Sequence, residues 1–285
     1  MARTLDRVPP EGLFVTSGIS MYAGASIAVL LFPVLAPAGV AWWRVLGAGV
    51  LLVLVRRSWR RSWTRRDLVA AALFGTALAA MNLSFYLAID RLPLGNAVAI
   101  EFIGPTVVAA LGTRTRRSWF ALALAVSGVL VLAGIEVGGT LAGVGFALLA
   151  GTLWAAYIVL GERVATSGAS VDGLGVGMIV GALAISPFGL VPAIDALAMP
   201  SVVALALATA ILSNVFPYAL DQHIFTRVSR SRFAILNALL PATATVVGLV
   251  VLRQVPSILD LAGIGLVVAG IALGAEREID TAGAA

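Results

Sequence analysis

The two halves of this chain repeat each other. Asn82-Leu83-Ser84-Phe85-Tyr86 returns as Asn214-Val215-Phe216-Pro217-Tyr218, 132 residues further on. Gly104-Pro105-Thr106 pairs with Leu240-Pro241-Ala242, and Ala133-Gly134-Ile135 with Ala269-Gly270-Ile271, both 136 apart. The four extra residues fit in the stretch between Asp221 and Arg232. A repeat on this scale constrains the fold before any short motif does. It divides the chain into residues 1–137 and 138–285, and each half must then build the same unit.

The composition says what that unit is made of. Apolar residues are 60% of the 285, charged ones only 12%, and the mean hydropathy is +1.04. A soluble domain carries about a quarter charged residues, so the chain is expected to be an all-α polytopic membrane protein. Its apolar runs are about 20 residues long, enough to cross about 30 Å of hydrocarbon as helices. A transmembrane barrel would need segments of about 10 alternating residues. There are no cysteines and one histidine, so no disulfide, thiolate or metal chemistry is expected. The net charge of +5 comes from arginines in short loops and does not point to nucleic acid. The stretch before Glu11 lacks a cleavage pattern and reads as a short cytoplasmic lead, not a removed signal.

The hydropathy predicts ten transmembrane helices, near 12–32, 36–55, 68–88, 93–113, 118–136, 142–162, 173–193, 201–220, 232–252 and 256–275, with Pro, Gly or charge at the breaks. Of 19 arginines, sixteen fall on one side if the N-terminus is inside: Arg3 and Arg7, the six from Arg56 to Arg66, Arg114, Arg116, Arg117, Arg163, Arg227, Arg230, Arg232 and Arg277. Only Arg91 and Arg253 fall on the other, and Arg44 lies within the second span. The positive-inside rule then puts both termini in the cytoplasm. Five spans per half also make the second half run opposite to the first. Such a 5+5 inverted repeat implies a transporter whose halves rock around a central site.

Polar residues inside the spans are the candidate site. Glu101 lies roughly 12 Å deep in the fourth span at 1.5 Å per residue, where a carboxyl faces a cavity or a partner. It could hold a substrate ammonium or a proton, or form a fixed ion pair with Arg44. Arg44 could receive a substrate carboxylate as a two-pronged donor, snorkel outward, or neutralise Glu101. The repeated pairs Asn82 with Tyr86 and Asn214 with Tyr218 each fall on one helical face. They could line a cavity or simply bond helices together. Pro217 could open the eighth helix and free carbonyls for a ligand, or merely kink it. Trp154, Tyr157 and Tyr22 are candidate aromatic walls, with packing as the alternative. Asn237 stands at the repeat position of Glu101, so one half carries a charge and the other an amide. His223 and Asp221, at a helix end, read as solvated groups before they read as a gate.

The tracts Met81-Asn82-Leu83-Ser84-Phe85-Tyr86 and Pro93-Leu94-Gly95-Asn96-Ala97-Val98-Ala99-Ile100-Glu101-Phe102-Ile103-Gly104-Pro105 resemble the drug/metabolite transporter superfamily, EamA family. Within it the chain is most similar to the threonine/homoserine exporters. Gly24-Ala25-Ser26 with Phe32-Pro33, and Ile211-Leu212-Ser213 before Pro217-Tyr218, add to the likeness, which covers the whole chain. The chain departs at Leu240, where the family commonly has an acid; at Arg253-Gln254, in place of Gly-Glu; and at Val29, where such exporters can carry Lys.

The resemblance implies a secondary active transporter in a bacterial inner membrane, exporting small amino acids by alternating access against protons. Glu101 and Arg44 would match the two charges of a zwitterion. Its partners would be an amino acid, protons and the bilayer, with a homodimer open. An exporter or importer of another metabolite or drug, or a facilitated exchanger, is the alternative. No phosphate loop, dinucleotide fingerprint or nucleophile elbow is present. No cofactor and no enzymatic activity are therefore expected, and transport would draw on an ion gradient or exchange.

Overall fold

The computed structural model describes residues 8–113, 115–135, 141–166, 170–217, 220, 237 and 239–282. The elements are helices α1 (Pro10–Leu31), α2 (Pro37–Arg56), α3 (Arg65–Ile89), α4 (Leu94–Glu101), α5 (Ile103–Thr113), α6 (Arg116–Ile135), α7 (Leu141–Thr166), α8 (Ser170–Ala184), α9 (Ser186–Asp195), α10 (Pro200–Ala210), α11 (Leu239–Leu252) and α12 (Ile258–Ala282). Among the described residues there is no strand. By length and apolarity α1, α2, α3 and α7 can each cross a membrane alone, and α8 with α9 form a bent pair that is apolar enough to be a broken fifth span or a re-entrant loop.

Local chemistry sets the helix ends. Proline occupies the first turn of α1, α2 and α10, where its missing N–H is no loss. Thr64 and Asp67 form a reciprocal capping box at the start of α3, satisfying two orphan donors. Helix α2 stops where Arg57 turns left-handed at φ 56°.

Three predicted spans are not straight helices. The fourth is interrupted at Phe102, dividing α4 from α5. Pro105 has no N–H for the Glu101 carbonyl four residues back, and its ring crowds that carbonyl. The Phe102 carbonyl instead takes two donors, the Thr106 N–H at 3.2 Å and its hydroxyl at 2.8 Å. The seventh bends by 86° between α8 and α9. Pro187 offers no N–H to Leu183 and disfavours helical backbone at the residue before it, and Ile185 sits at φ −87°, ψ 0°. The eighth passes from α10 into a π-helical turn, Ile211–Val215. There the Phe216 N–H reaches the Ile211 carbonyl and Pro217 has none to give to Leu212. The hydroxyl of Ser20 on α1 bonds the Leu212 carbonyl at 2.8 Å.

The core is apolar, as in a soluble protein, but the outside is apolar too. Ser26, Arg44, Asn82, Asn96, Glu101, Thr209, Ser213 and Asn214 are buried, while Leu30, Val55, Leu130, Leu183 and Val250 are more than 60% exposed. Lipid tails make that arrangement favourable. Helix α3 packs on α7 and α8, α2 on α8 and α9, α10 on α1 and α2, α1 and α4 on α11, and α6 along α12. A Cβ at Gly75 would collide with the Gly177 backbone, and one at Gly181 with the Gly75 carbonyl, so α3 and α8 cross backbone to backbone.

Candidate functional site

Arg44 emerges from the middle of α2 and is 7% exposed. Its Nε and Nη2 both donate to Asn214 Oδ1, at 3.2 and 2.9 Å. The π turn carries Asn214, and such turns recur at functional sites. The guanidinium also lies 5.1 Å from the centre of the Tyr86 ring on α3, a cation–π contact. With Oδ1 committed to Arg44, the amide Nδ2 of Asn214 is buried without a partner among the described residues. The hydroxyl of Tyr86, a fully buried residue, has none there either. A buried polar atom without a partner costs about 1–3 kcal/mol. Two such atoms lie beside one guanidinium.

Glu101 ends α4 and is also 7% exposed. It lies in electrostatic range of Arg44 and of Tyr22 on α1. The direct ion pair with Arg44 weighed from the sequence is not formed, because the guanidinium is turned to Asn214. Among the described residues Glu101 takes part in no side-chain hydrogen bond or ion pair. Its backbone carbonyl, freed by Pro105, faces Gly151 of α7, where a Cβ would come within 2.5 Å of it.

The other candidates divide. Asn82 is spent on its own helix, with Nδ2 donating to the Leu78 carbonyl at 2.8 Å, so the repeated asparagines have diverged in role. Tyr22 is buried and joins the Glu101 neighbourhood. Trp154 meets Phe102 edge-on at 4.7 Å, beside the break that follows Glu101. Tyr157 stacks on Phe74 at 4.6 Å. Asn237 is half-buried ahead of α11, four residues before Pro241 as Glu101 is before Pro105. Tyr218, His223 and Asp221 lie outside the described residues. Arg91 sits at the surface, paired with Asp90 at 3.1 Å.

Sequence reasoning missed the crossed bonds that seat the π turn: Ser20 to Leu212, and the Ser213 hydroxyl to the Met21 carbonyl at 2.9 Å. It also missed the buried Asn96–Asp260 contact at 2.6 Å. Pro217 was the available signal for the first. Nothing local signalled the second, whose partners are 164 residues apart.

Comparison with known proteins places this architecture. The model of the EamA-like transporter family matches residues 141–274. The threonine/homoserine exporter RhtA of Escherichia coli (strain K12) is 33% identical over 275 residues, 94% of this chain and 93% of its own. The protein of the same name from Salmonella typhimurium (strain SL1344) is 35% identical over 238 residues, 82% and 80% of the two chains. A crystal structure with 18% identity covers 92% of this chain and 95% of its own at a TM-score of 0.54, a likeness of fold alone. Kinship at this identity over nearly the whole length assigns the chain to the EamA-like transporter family of the drug/metabolite transporter superfamily.

Proposed function

We propose that this protein is a secondary active transporter that exports small amino acids of the threonine or homoserine kind across a bacterial inner membrane. Near full-length identity of 33% to exporters of that name supports the substrate class. The observation that carries the mechanism is Glu101, a buried carboxyl with no fixed partner among the described residues, beside an arginine bonded to an amide. A zwitterion offers what both lack: an ammonium for Glu101, and a carboxylate for Arg44 and the free donors of Asn214 and Tyr86. A carboxyl of this kind can alternatively take a proton, which makes substrate and proton competitors for one group and couples their fluxes.

Alternating access follows from two halves, residues 1–137 and 138–285, each of five spans, with both termini in the cytoplasm. The packing supports this reading. Exchanging the halves converts α3 on α7 into α10 on α1, and α1 on α11 into α4 with α5 on α7. The pairs α6 with α12 and α2 with α8–α9 are converted into themselves. The test is counterflow in proteoliposomes: vesicles loaded with threonine or homoserine should accumulate the labelled amino acid from outside. Equal, background-level uptake across all common amino acids would reject the assignment.

A further inference from the structure

At one end of the bundle, away from Glu101, a second set of buried polar groups ties three elements together. Asn96, in the first turn of α4, donates through Nδ2 to Asp260 Oδ1 at 2.6 Å. The other Asp260 oxygen accepts the Ser257 N–H at 2.7 Å, and the Asp260 N–H returns to the Ser257 hydroxyl at 3.1 Å. The Leu94 N–H, an orphan donor at the start of α4, is taken by Gln254 Oε1 at 2.9 Å. Asn96 is 2% and Asp260 9% exposed. The segment between α11 and α12, through Gln254, and the first turn of α12, through Asp260, are thus each stapled to the tip of α4.

Helix α4 makes that staple more than a surface detail. It is eight residues long, about 12 Å, and rigid between the staple and its last residue, Glu101. At Phe102 the helix is interrupted, and Pro105 leaves the Glu101 carbonyl without its helical donor, which makes this the weakest point of the span and the place where α4 would pivot on α5. A cleft lined by Pro93, Gly95, Asn96, Thr245, Gln254 and Asp260 runs under the staple. The repeat position of Asn96 is Arg232 and that of Asp260 is Leu124, so the other half has no copy of this side-chain pair. The arginine count puts this end outside the cell.

We propose that Asn96, Asp260 and Gln254 form the latch of the outer gate, and that they are positioning residues for Glu101. Closed, the latch holds α4 against α11 and α12 and keeps Glu101 from the outer face. Opened, it lets α4 swing at Phe102 and delivers Glu101 and its cargo outward. This rests on the alternating-access reading and its orientation, not on which amino acid is carried.

The natural absence of cysteine allows a direct test. Thr245→Cys places one thiol in the cleft, to be labelled in intact cells by a membrane-impermeant methanethiosulfonate. Asn96→Ala or Gln254→Ala should raise the outside labelling rate at least about fivefold when the rate is taken per folded protein. Faster labelling only from the cytoplasmic face, or no change from either, overturns the proposal. In the converse arm, an Asn96→Cys, Asp260→Cys pair joined by a short bis-methanethiosulfonate, which forms a disulfide with each thiol and releases two sulfinates, should lose counterflow and regain it with reductant. Full counterflow by the joined protein overturns the proposal as well. Absence of threonine counterflow in the unmodified protein would reject the proposed function while leaving the labelling result standing.

Discussion

At the scale of single residues, the site is defined by what its polar atoms fail to find. The Tyr86 hydroxyl is buried and unbonded among the described residues, so removing it should not harm the fold. Tyr86→Phe is expected to leave the melting temperature unchanged or slightly raised, because deleting an unsatisfied group relieves about 1 kcal/mol or more. If the hydroxyl meets the substrate, the same change raises KM about tenfold, the cost of one lost hydrogen bond of about 1.4 kcal/mol. A parallel loss of both stability and transport would mark Tyr86 as structural only. Asn214→Ala should behave oppositely, since it removes the acceptor of the Arg44 Nε and Nη2 donors and leaves a buried guanidinium with fewer hydrogen bonds. A drop of about 2 kcal/mol is expected, visible as a lower melting temperature in detergent; an unchanged one would contradict it. Glu101 and Arg44 were legible as charges among apolar residues. Their separation was not, because Arg44 turns to an asparagine 170 residues away, on a π turn that only Pro217 hinted at.

At the scale of elements, backbone proximity governs. Helices α3 and α8 touch through Gly75, Gly177 and Gly181, so Gly75→Val should abolish folded expression. Gly145, with nothing within 4 Å of an added Cβ, is the control: Gly145→Ala should be tolerated and gain about 0.5–1 kcal/mol from helix propensity. Equal damage from both, read by size-exclusion profiles, would contradict the packing account. Arg253 follows α11 at φ 57°, a conformation that costs an L-residue roughly 1–2 kcal/mol. Arg253→Gly should raise the melting temperature, since glycine adopts this φ without cost, and a fall would refute the strain. Long helices were legible to within a few residues, as for α1, α2 and α7, because continuous apolar runs between proline, glycine and arginine leave few alternatives. The interruption at Phe102 and the bend at Ile185 were not. Hydropathy runs through both, and only the missing N–H groups of Pro105 and Pro187 mark them.

At the scale of the whole molecule, the proposed pair of inverted halves rests on the sequence repeat and on the exchange symmetry of the helix packing. The proposed topology, with both termini inside, predicts that a cysteine introduced at residue 285 reacts with an impermeant reagent only after the membrane is opened, and labelling in intact cells would contradict it. The central claim is that Glu101 couples the gradient to export. It is tested most directly by Glu101→Gln in proteoliposomes at matched protein content, scoring threonine transport driven by an imposed pH gradient beside threonine counterflow. The amide keeps size and shape but cannot exchange a proton. Gradient-driven transport should fall to background, while counterflow, which needs no net proton movement, survives better. Gradient-driven transport by Glu101→Gln at the rate of the unmodified protein would contradict the account.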